Sequence, residues 1–225
     1  RNLVRKLSEQ SSKQMAPVFS PDGKMLAYVI DNNIWLSKFD FDTESQVTKD
    51  GELNKVINGA TDWVYEEEFT TTRLMEFSPD NKLLAFVRTD ESQVKEFQFQ
   101  TYNEELYPGF YKFKYPKPGE KNSLVDLRVF DIESRTIRKM ELPLDADGYI
   151  PRITFTANEQ ELVAMTLNRN QNIFDMYFVN PRSAVAKLVL REENKYFVDS
   201  ELLKHIHFLS DRFTYVSEKD GYSHI

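Results

Sequence analysis

Phe19-Ser20-Pro21-Asp22-Gly23-Lys24-Met25-Leu26-Ala27-Tyr28-Val29 and Phe77-Ser78-Pro79-Asp80-Asn81-Lys82-Leu83-Leu84-Ala85-Phe86-Val87 are two copies of one phrase: an aromatic residue, a short polar turn and an apolar run. Proline presets φ at the second turn position, Ser, Asp and Asn bond back to the local backbone, and the apolar residues supply a strand. The phrase therefore reads as a β-hairpin. Weaker copies begin at Phe155, with Leu162-Val163-Ala164-Met165 as the following run, and at Phe208, with Phe213-Thr214-Tyr215-Val216. The starts at 19, 77, 155 and 208 lie 58, 78 and 53 residues apart, against the roughly 40–50 residues of one four-stranded propeller blade.

Between copies, Asn33–Phe39 with Ser45–Thr48, and Leu124–Phe130 with Arg135–Met140, read as the outer strand pairs of such blades. The fold expected is all-β: a partial β-propeller of roughly four antiparallel blades, with residues 1–225 forming one propeller domain. A β-sandwich with long loops is the competing architecture. The excess length falls into two insertions, at about 56–72 and about 91–122. Insertions on a rigid repeat are where function tends to concentrate.

Composition narrows the function classes. With 40% hydrophobic and 13% aromatic residues, a packed core is within reach. A net charge of −7 argues against general nucleic-acid or anionic-membrane binding, which need basic patches. The absence of cysteine removes disulfides, thiolate metal sites and cysteine nucleophiles. No segment has the roughly 20 apolar residues of a membrane span, and Arg1-Asn2-Leu3-Val4-Arg5-Lys6 lacks the apolar core of a signal peptide. Because it begins without Met, the sequence reads as a piece of a longer protein.

The first insertion carries Asp62-Trp63-Val64-Tyr65-Glu66-Glu67-Glu68. Thr61 or Asp62 can cap a short helix over Trp63 to Glu68, and Trp63 and Tyr65 are suited to anchor it on the propeller body. On a helix, Glu67 and Glu68 project about 100° apart, so both can reach one guest while Glu66 points elsewhere. A primary ammonium offers three donors, and one ion pair at about 4 Å gives on the order of 4 kcal/mol at an effective dielectric near 20, before desolvation. The alternatives are a calcium site, which needs more oxygen ligands along a loop, and a solvated acidic turn.

The second insertion, Glu91 to Asn122, is rich in aromatics. Alternation in Glu96-Phe97-Gln98-Phe99-Gln100 and Tyr111-Lys112-Phe113-Lys114-Tyr115 predicts a two-stranded ribbon. A lone hairpin is marginal in water, so its aromatic face needs the propeller rim or a second subunit. No catalytic machinery is visible. Gly221-Tyr222-Ser223-His224-Ile225 lacks the second glycine of a nucleophile elbow. His205 and His207, read as sharing a strand face, have no third ligand at metal spacing. No metal and no cofactor is expected.

Taken together, Asn58-Gly59-Ala60-Thr61-Asp62-Trp63-Val64-Tyr65-Glu66-Glu67-Glu68, Asp90-Glu91-Ser92, Tyr115-Pro116-Lys117-Pro118-Gly119-Glu120-Lys121-Asn122 and the closing Gly221-to-Ile225 segment resemble, in order and approximate spacing, the propeller of the dipeptidyl peptidase IV family. These are prolyl oligopeptidase-type serine exopeptidases, and the overall character is similar to the form found in Bacteroides-type bacteria. The resemblance implies that Glu67 and Glu68 hold the α-ammonium of a peptide substrate, with Asp62, Trp63, Tyr65 and Glu66 supporting them, and that X-Pro or X-Ala dipeptides are released.

It further implies that the Ser-Asp-His triad lies in an α/β-hydrolase domain outside this chain, so that this piece binds and does not cleave. The carbonyl-binding arginine is expected upstream and is not assigned to Arg1 or Arg5. A homodimer built partly through the 91–122 arm and a periplasmic, cell-surface or secreted location follow from the same resemblance. Val94-Lys95, where the family often has Val-Pro, and Pro118, where Ala is frequent, depart from its pattern. A tripeptide-releasing relative and a plain protein-interaction propeller remain as alternatives.

Overall fold

The computed structural model describes Ser8 and residues 10–225; Arg1 and Arg5 lie outside the described residues. Its repeating unit grows from the polar turns. The Ser20 hydroxyl accepts from Met25 N (2.9 Å) and donates to Asp22 Oδ1 (2.6 Å), which also accepts from Lys24 N (3.0 Å). Ser78 repeats this with Leu83 N (2.9 Å) and Asp80 Oδ1 (2.6 Å). The fifth residue of each phrase has positive φ, 69° at Gly23 and 60° at Asn81. Glycine and asparagine are the residues that tolerate this left-handed position. Asn81 Oδ1 also accepts from Asp22 N (3.1 Å), so the first two turns are joined directly.

Strands β1 (Met15–Phe19), β2 (Met25–Ile30), β3 (Asn33–Lys38) and β4 (Thr43–Gln46) form the first antiparallel sheet, paired in chain order. The next stretch holds β5 (Val56–Asn58), helix α1 (Trp63–Glu68), β6 (Met75–Phe77) and β7 (Leu83–Asp90). A ribbon of β8 (Glu96–Thr101) and β9 (Gly109–Lys114) follows, then β10 (Leu124–Asp131) and β11 (Thr136–Lys139). The second sheet has the order β11-β10-β7, with β5 and β6 both on the far edge of β7.

The third sheet, β12 (Tyr149–Phe155), β13 (Leu162–Leu167), β14 (Ile173–Val179) and β15 (Ala186–Glu193), is again in chain order. A 3₁₀ turn over Ser200–His205 leads to the hairpin of β16 (His207–Phe208) and β17 (Phe213–Thr214). The described residues thus hold three blade sheets and the start of a fourth, besides the separate β8–β9 ribbon. His205 ends the 3₁₀ turn and His207 begins β16, so the two do not share a strand face as the sequence suggested.

Alternation along β7 decides between propeller and sandwich. Leu83, Ala85 and Val87 belong to one core with Leu127, Ile153, Leu162 and Met165, while Leu84 and Phe86 belong to another with Ala27, Val29, Ile34 and Leu36. The second sheet is therefore buried on both faces, between its two neighbours, as a blade is and a two-layer sandwich sheet is not. Each large side chain so buried contributes about 1.5–3 kcal/mol. The first strands converge: β6 touches both β1 and β12. That edge is the inner side of the fan.

The second blade's inner strand is split. Val87 N donates to Leu74 O and Val87 O accepts from Gly59 N, both at 3.0 Å, so residues 59–74 leave and rejoin the sheet beside one residue of β7. The chain can turn there because glycine tolerates the φ of +76° at residue 59. A Cβ at Gly59 would stand 3.1 Å from Ile34 and Met75 side-chain atoms. Gly59→Ala is expected to cost roughly 1–3 kcal/mol, seen as a lowered thermal midpoint of the purified protein; an unchanged midpoint would contradict the strained neck.

Candidate functional site

Helix α1 is held from three directions. At its start Asp62 Oδ1 accepts from Tyr65 N (3.1 Å), making Asp62 the N-cap, while Thr61 instead donates to Thr71 O (2.9 Å) and closes the loop. Asp62 Oδ2 accepts a 2.6 Å hydrogen bond from the Ser123 hydroxyl just before β10. One buried carboxylate thus ties the helix to the blade from which it departs. At mid-helix, buried Tyr65 accepts from Ile150 N (2.9 Å) on β12 and clusters edge-on with Phe69 and Tyr149. On the third side Trp63 meets Tyr115 edge-to-face, ring centres 4.3 Å apart, at the exit of the ribbon.

Glu66, Glu67 and Glu68 are exposed, and none forms a salt bridge or side-chain hydrogen bond among the described residues. Burial, then the nearby Asp62 and Glu67 carboxylates, raise the pKa of Glu66, with Lys13 opposing. Of the four residues expected to support the pair, Asp62, Trp63 and Tyr65 are buried or half-buried and engaged, whereas Glu66 is exposed like Glu67 and Glu68 and makes no hydrogen bond or ion pair through its side chain among the described residues.

Two groups near Asp62 were not singled out by the sequence: Ser123, and Glu91, which entered only as the start of the second insertion and in the Asp90-Glu91-Ser92 phrase. Glu91 is buried, and its pKa is pushed up to about 7 by that burial and by the charges of Asp62 and Asp90, against Lys114. Burial likewise raises Asp62, although the Ser123 hydroxyl and two backbone N–H groups partly offset it. Asn122 Nδ2, next to Ser123, has no hydrogen-bond partner among the described residues. Separations of 61 residues between Asp62 and Ser123 and 85 between Tyr65 and Ile150 kept these contacts out of any local pattern.

The ribbon pairs Phe97 with Phe113 and Phe99 with Tyr111, and most of its aromatic surface stays uncovered, with Tyr107 84% exposed. It leaves the blade as the alternation predicted. Lys95 at its base bonds Glu120 near its exit. Among the described residues no three His, Cys, Asp or Glu side chains are placed to hold a metal ion. No helix is long and apolar enough to cross a membrane.

The profile described as "Dipeptidyl peptidase IV (DPP IV) N-terminal region" matches residues 1–225. The chain belongs to the dipeptidyl peptidase IV N-terminal region family. The crystal structure of Porphyromonas gingivalis dipeptidyl peptidase 4 is similar to it with TM-score 0.94 and 57% identity, covering 97% of this chain and 31% of that one. Among curated relatives, a probable dipeptidyl-aminopeptidase B of Aspergillus fumigatus is 33% identical over 191 residues, 78% of this chain and 21% of the relative. Prolyl endopeptidase FAP of Bos taurus is 31% identical over 235 residues, 92% of this chain and 29% of the relative. This dipeptidyl peptidase IV N-terminal region therefore spans only a fifth to a third of the proteins it matches.

The Glu91 carboxyl gives a signed pH test. Its folded pKa, about 7, exceeds its ordinary value of 4.5, so below the ordinary value it contributes nothing, and its ionisation progressively destabilises the fold as pH rises through the interval. Glu91→Gln is expected to raise stability at pH 8 by on the order of 2 kcal/mol relative to the effect at pH 4. Thermal midpoints of both proteins at the two pH values check this; an equal difference at both would reject it. Ser123→Ala, which strips the hydroxyl from a buried carboxylate, is expected to cost about 1–3 kcal/mol by chemical denaturation.

Proposed function

We propose that this chain is the substrate-anchoring propeller portion of a dipeptidyl peptidase IV-like serine exopeptidase, with Glu67 and Glu68 binding the α-ammonium of a peptide. The observation that carries the reading is the contrast within α1. Asp62 and Tyr65 are buried and hydrogen-bonded to two different blades, yet Glu67 and Glu68 form no salt bridge or side-chain hydrogen bond among the described residues. Adjacent like charges repel, and a rigid mount that leaves them unpaired favours a cationic guest that relieves the repulsion. A primary ammonium has the donors to engage two carboxylates together.

In this reading the propeller positions and a hydrolase domain of the same polypeptide cleaves, through a Ser-Asp-His triad outside this chain. Fixing the amino terminus sets how far into the site the peptide reaches, so the bond after the second residue is presented and X-Pro or X-Ala dipeptides leave. Residues 1–225 act as one propeller domain. The uncovered aromatic ribbon supports a homodimer in the full-length protein, since an exposed apolar strand pair gains by docking on a second copy. Family resemblance supports a periplasmic or cell-surface location.

The test uses the full-length protein and a peptide with a free amino terminus and Pro in second place. Glu67→Gln and Glu68→Gln are each expected to lower kcat/KM by about 2–5 kcal/mol of transition-state binding, while an N-acetylated peptide is a poor substrate for all forms. Unchanged kcat/KM in both variants would overturn the anchoring role. Mass spectrometry of the product reads dipeptide or tripeptide release directly.

A further inference from the structure

A cavity of about 410 Å³ opens directly after α1, walled by Phe69–Thr71, by β6 and the residues before it, by β12 and by the 3₁₀ turn. Its volume is within the range of small-ligand sites. Three cations reach it from three separate elements: Arg73, Arg152 and Lys204. Arg73 Nη1 donates to Pro17 O (2.5 Å) and Arg152 Nη1 to Leu203 O (2.8 Å), so each guanidinium is oriented by one carbonyl. Neither arginine forms a salt bridge among the described residues. Four N–H donors remain on each, in a planar fork that matches a carboxylate.

Lys204 closes the rim, bonded to Thr70 Oγ1 (2.6 Å) and to Glu201 (2.7 Å). The one carboxylate in the wall is Glu76, which makes no salt bridge to either arginine. Burial raises its pKa in spite of the nearby Arg73 and Arg152 guanidiniums. Two arginines, each oriented by one carbonyl, face a single wall carboxylate, Glu76, so the cavity carries a local positive excess inside a chain of net charge −7.

We propose that this cavity binds a carboxylate of the peptide substrate through Arg73 and Arg152. The inference rests on the anchoring role of Glu67 and Glu68 for the identity of the ligand. Reach supports it: Thr70, on the cavity wall, is two residues from Glu68, so their Cα atoms lie at most about 7.6 Å apart. A peptide whose ammonium sits at the glutamates has its own first residues within range. The carboxylate has two possible sources, an acidic side chain near the amino terminus or the carboxyl terminus of a short peptide. In both cases the guanidinium fork recognises the same group.

The experiment compares kcat/KM of the full-length protein for a neutral, C-terminally amidated X-Pro peptide with three charged counterparts: Glu in first place, Glu in third place, and the free C-terminal acid. At least one charged peptide is expected to be preferred by about tenfold, the scale of one charge-assisted hydrogen bond. The preferred arm identifies the source. In the double variant Arg73→Gln/Arg152→Gln the preference should vanish, read as the ratio of charged-peptide to neutral-peptide kcat/KM within that variant. Equal rates for all four peptides in the unaltered protein would overturn the proposal without any variant, as would a preference that survives the double substitution. Loss of activity on the neutral peptide in Glu67→Gln reports on the anchor alone, so failure of the two readings is distinguishable.

Discussion

Val87 bears the constraint on which the acidic helix depends. Its N–H and C=O both point to the inner edge of the second blade, and they are taken by Leu74 and Gly59, residues that lie on opposite ends of the insertion. Leu74 N also donates to Gly59 O at 2.9 Å, which draws the neck shut. A loop whose ends are joined to each other and to one strand residue has little freedom to swing. The helix it carries inherits that restraint. Because Val87 also lies in the core shared with the third blade, moving the neck would disturb packing as well as hydrogen bonding.

The helix is then oriented by buried polar groups, each with a single task. Asp62 would be costly without partners, since a carboxylate removed from water is stabilised only when its lone pairs are engaged. Tyr65 N and the Ser123 hydroxyl supply that engagement and fix both the helix start and its distance from β10. Glu91 sits in the same region with its ionisation already disfavoured. Such a cluster contributes little net stability, and its value lies in defining one orientation. Tyr65, bonded to the third blade, supplies the second fixed point.

How much of this was legible in the sequence follows from contact range. The hairpin turns depend on residues two to five apart, so Ser20, Asp22 and Gly23 announced the geometry later found at Ser78, Asp80 and Asn81. The cap was legible for the same reason, with Asp62 one of the two candidates beside Thr61. The split strand was not: β5 alone reads as a short apolar run, and the insertion seemed to begin at about 56, whereas Val56–Asn58 belongs to the blade edge. Ser123 and Ile150 were invisible as partners because nothing local marks a contact that crosses blades. His205 and His207 misled because the chain changes from 3₁₀ turn to strand between them, which breaks the two-residue alternation.

The distribution of charge completes the argument. Carboxylates outnumber basic residues along the chain, yet Glu67 and Glu68 form no salt bridge among the described residues, and the two arginines of the adjoining cavity face one wall carboxylate, Glu76, without a salt bridge to it. Side chains as long as these would meet at modest entropic cost if the backbone let them approach. Arg73 and Arg152 are instead held back by carbonyls of Pro17 and Leu203, which belong to the first blade and to the turn after the third. The two guanidiniums are thus oriented by main-chain carbonyls from separate parts of the fold. A guest carrying an ammonium and a carboxylate would engage both sets, and one whose carboxylate is amidated would engage the glutamates alone.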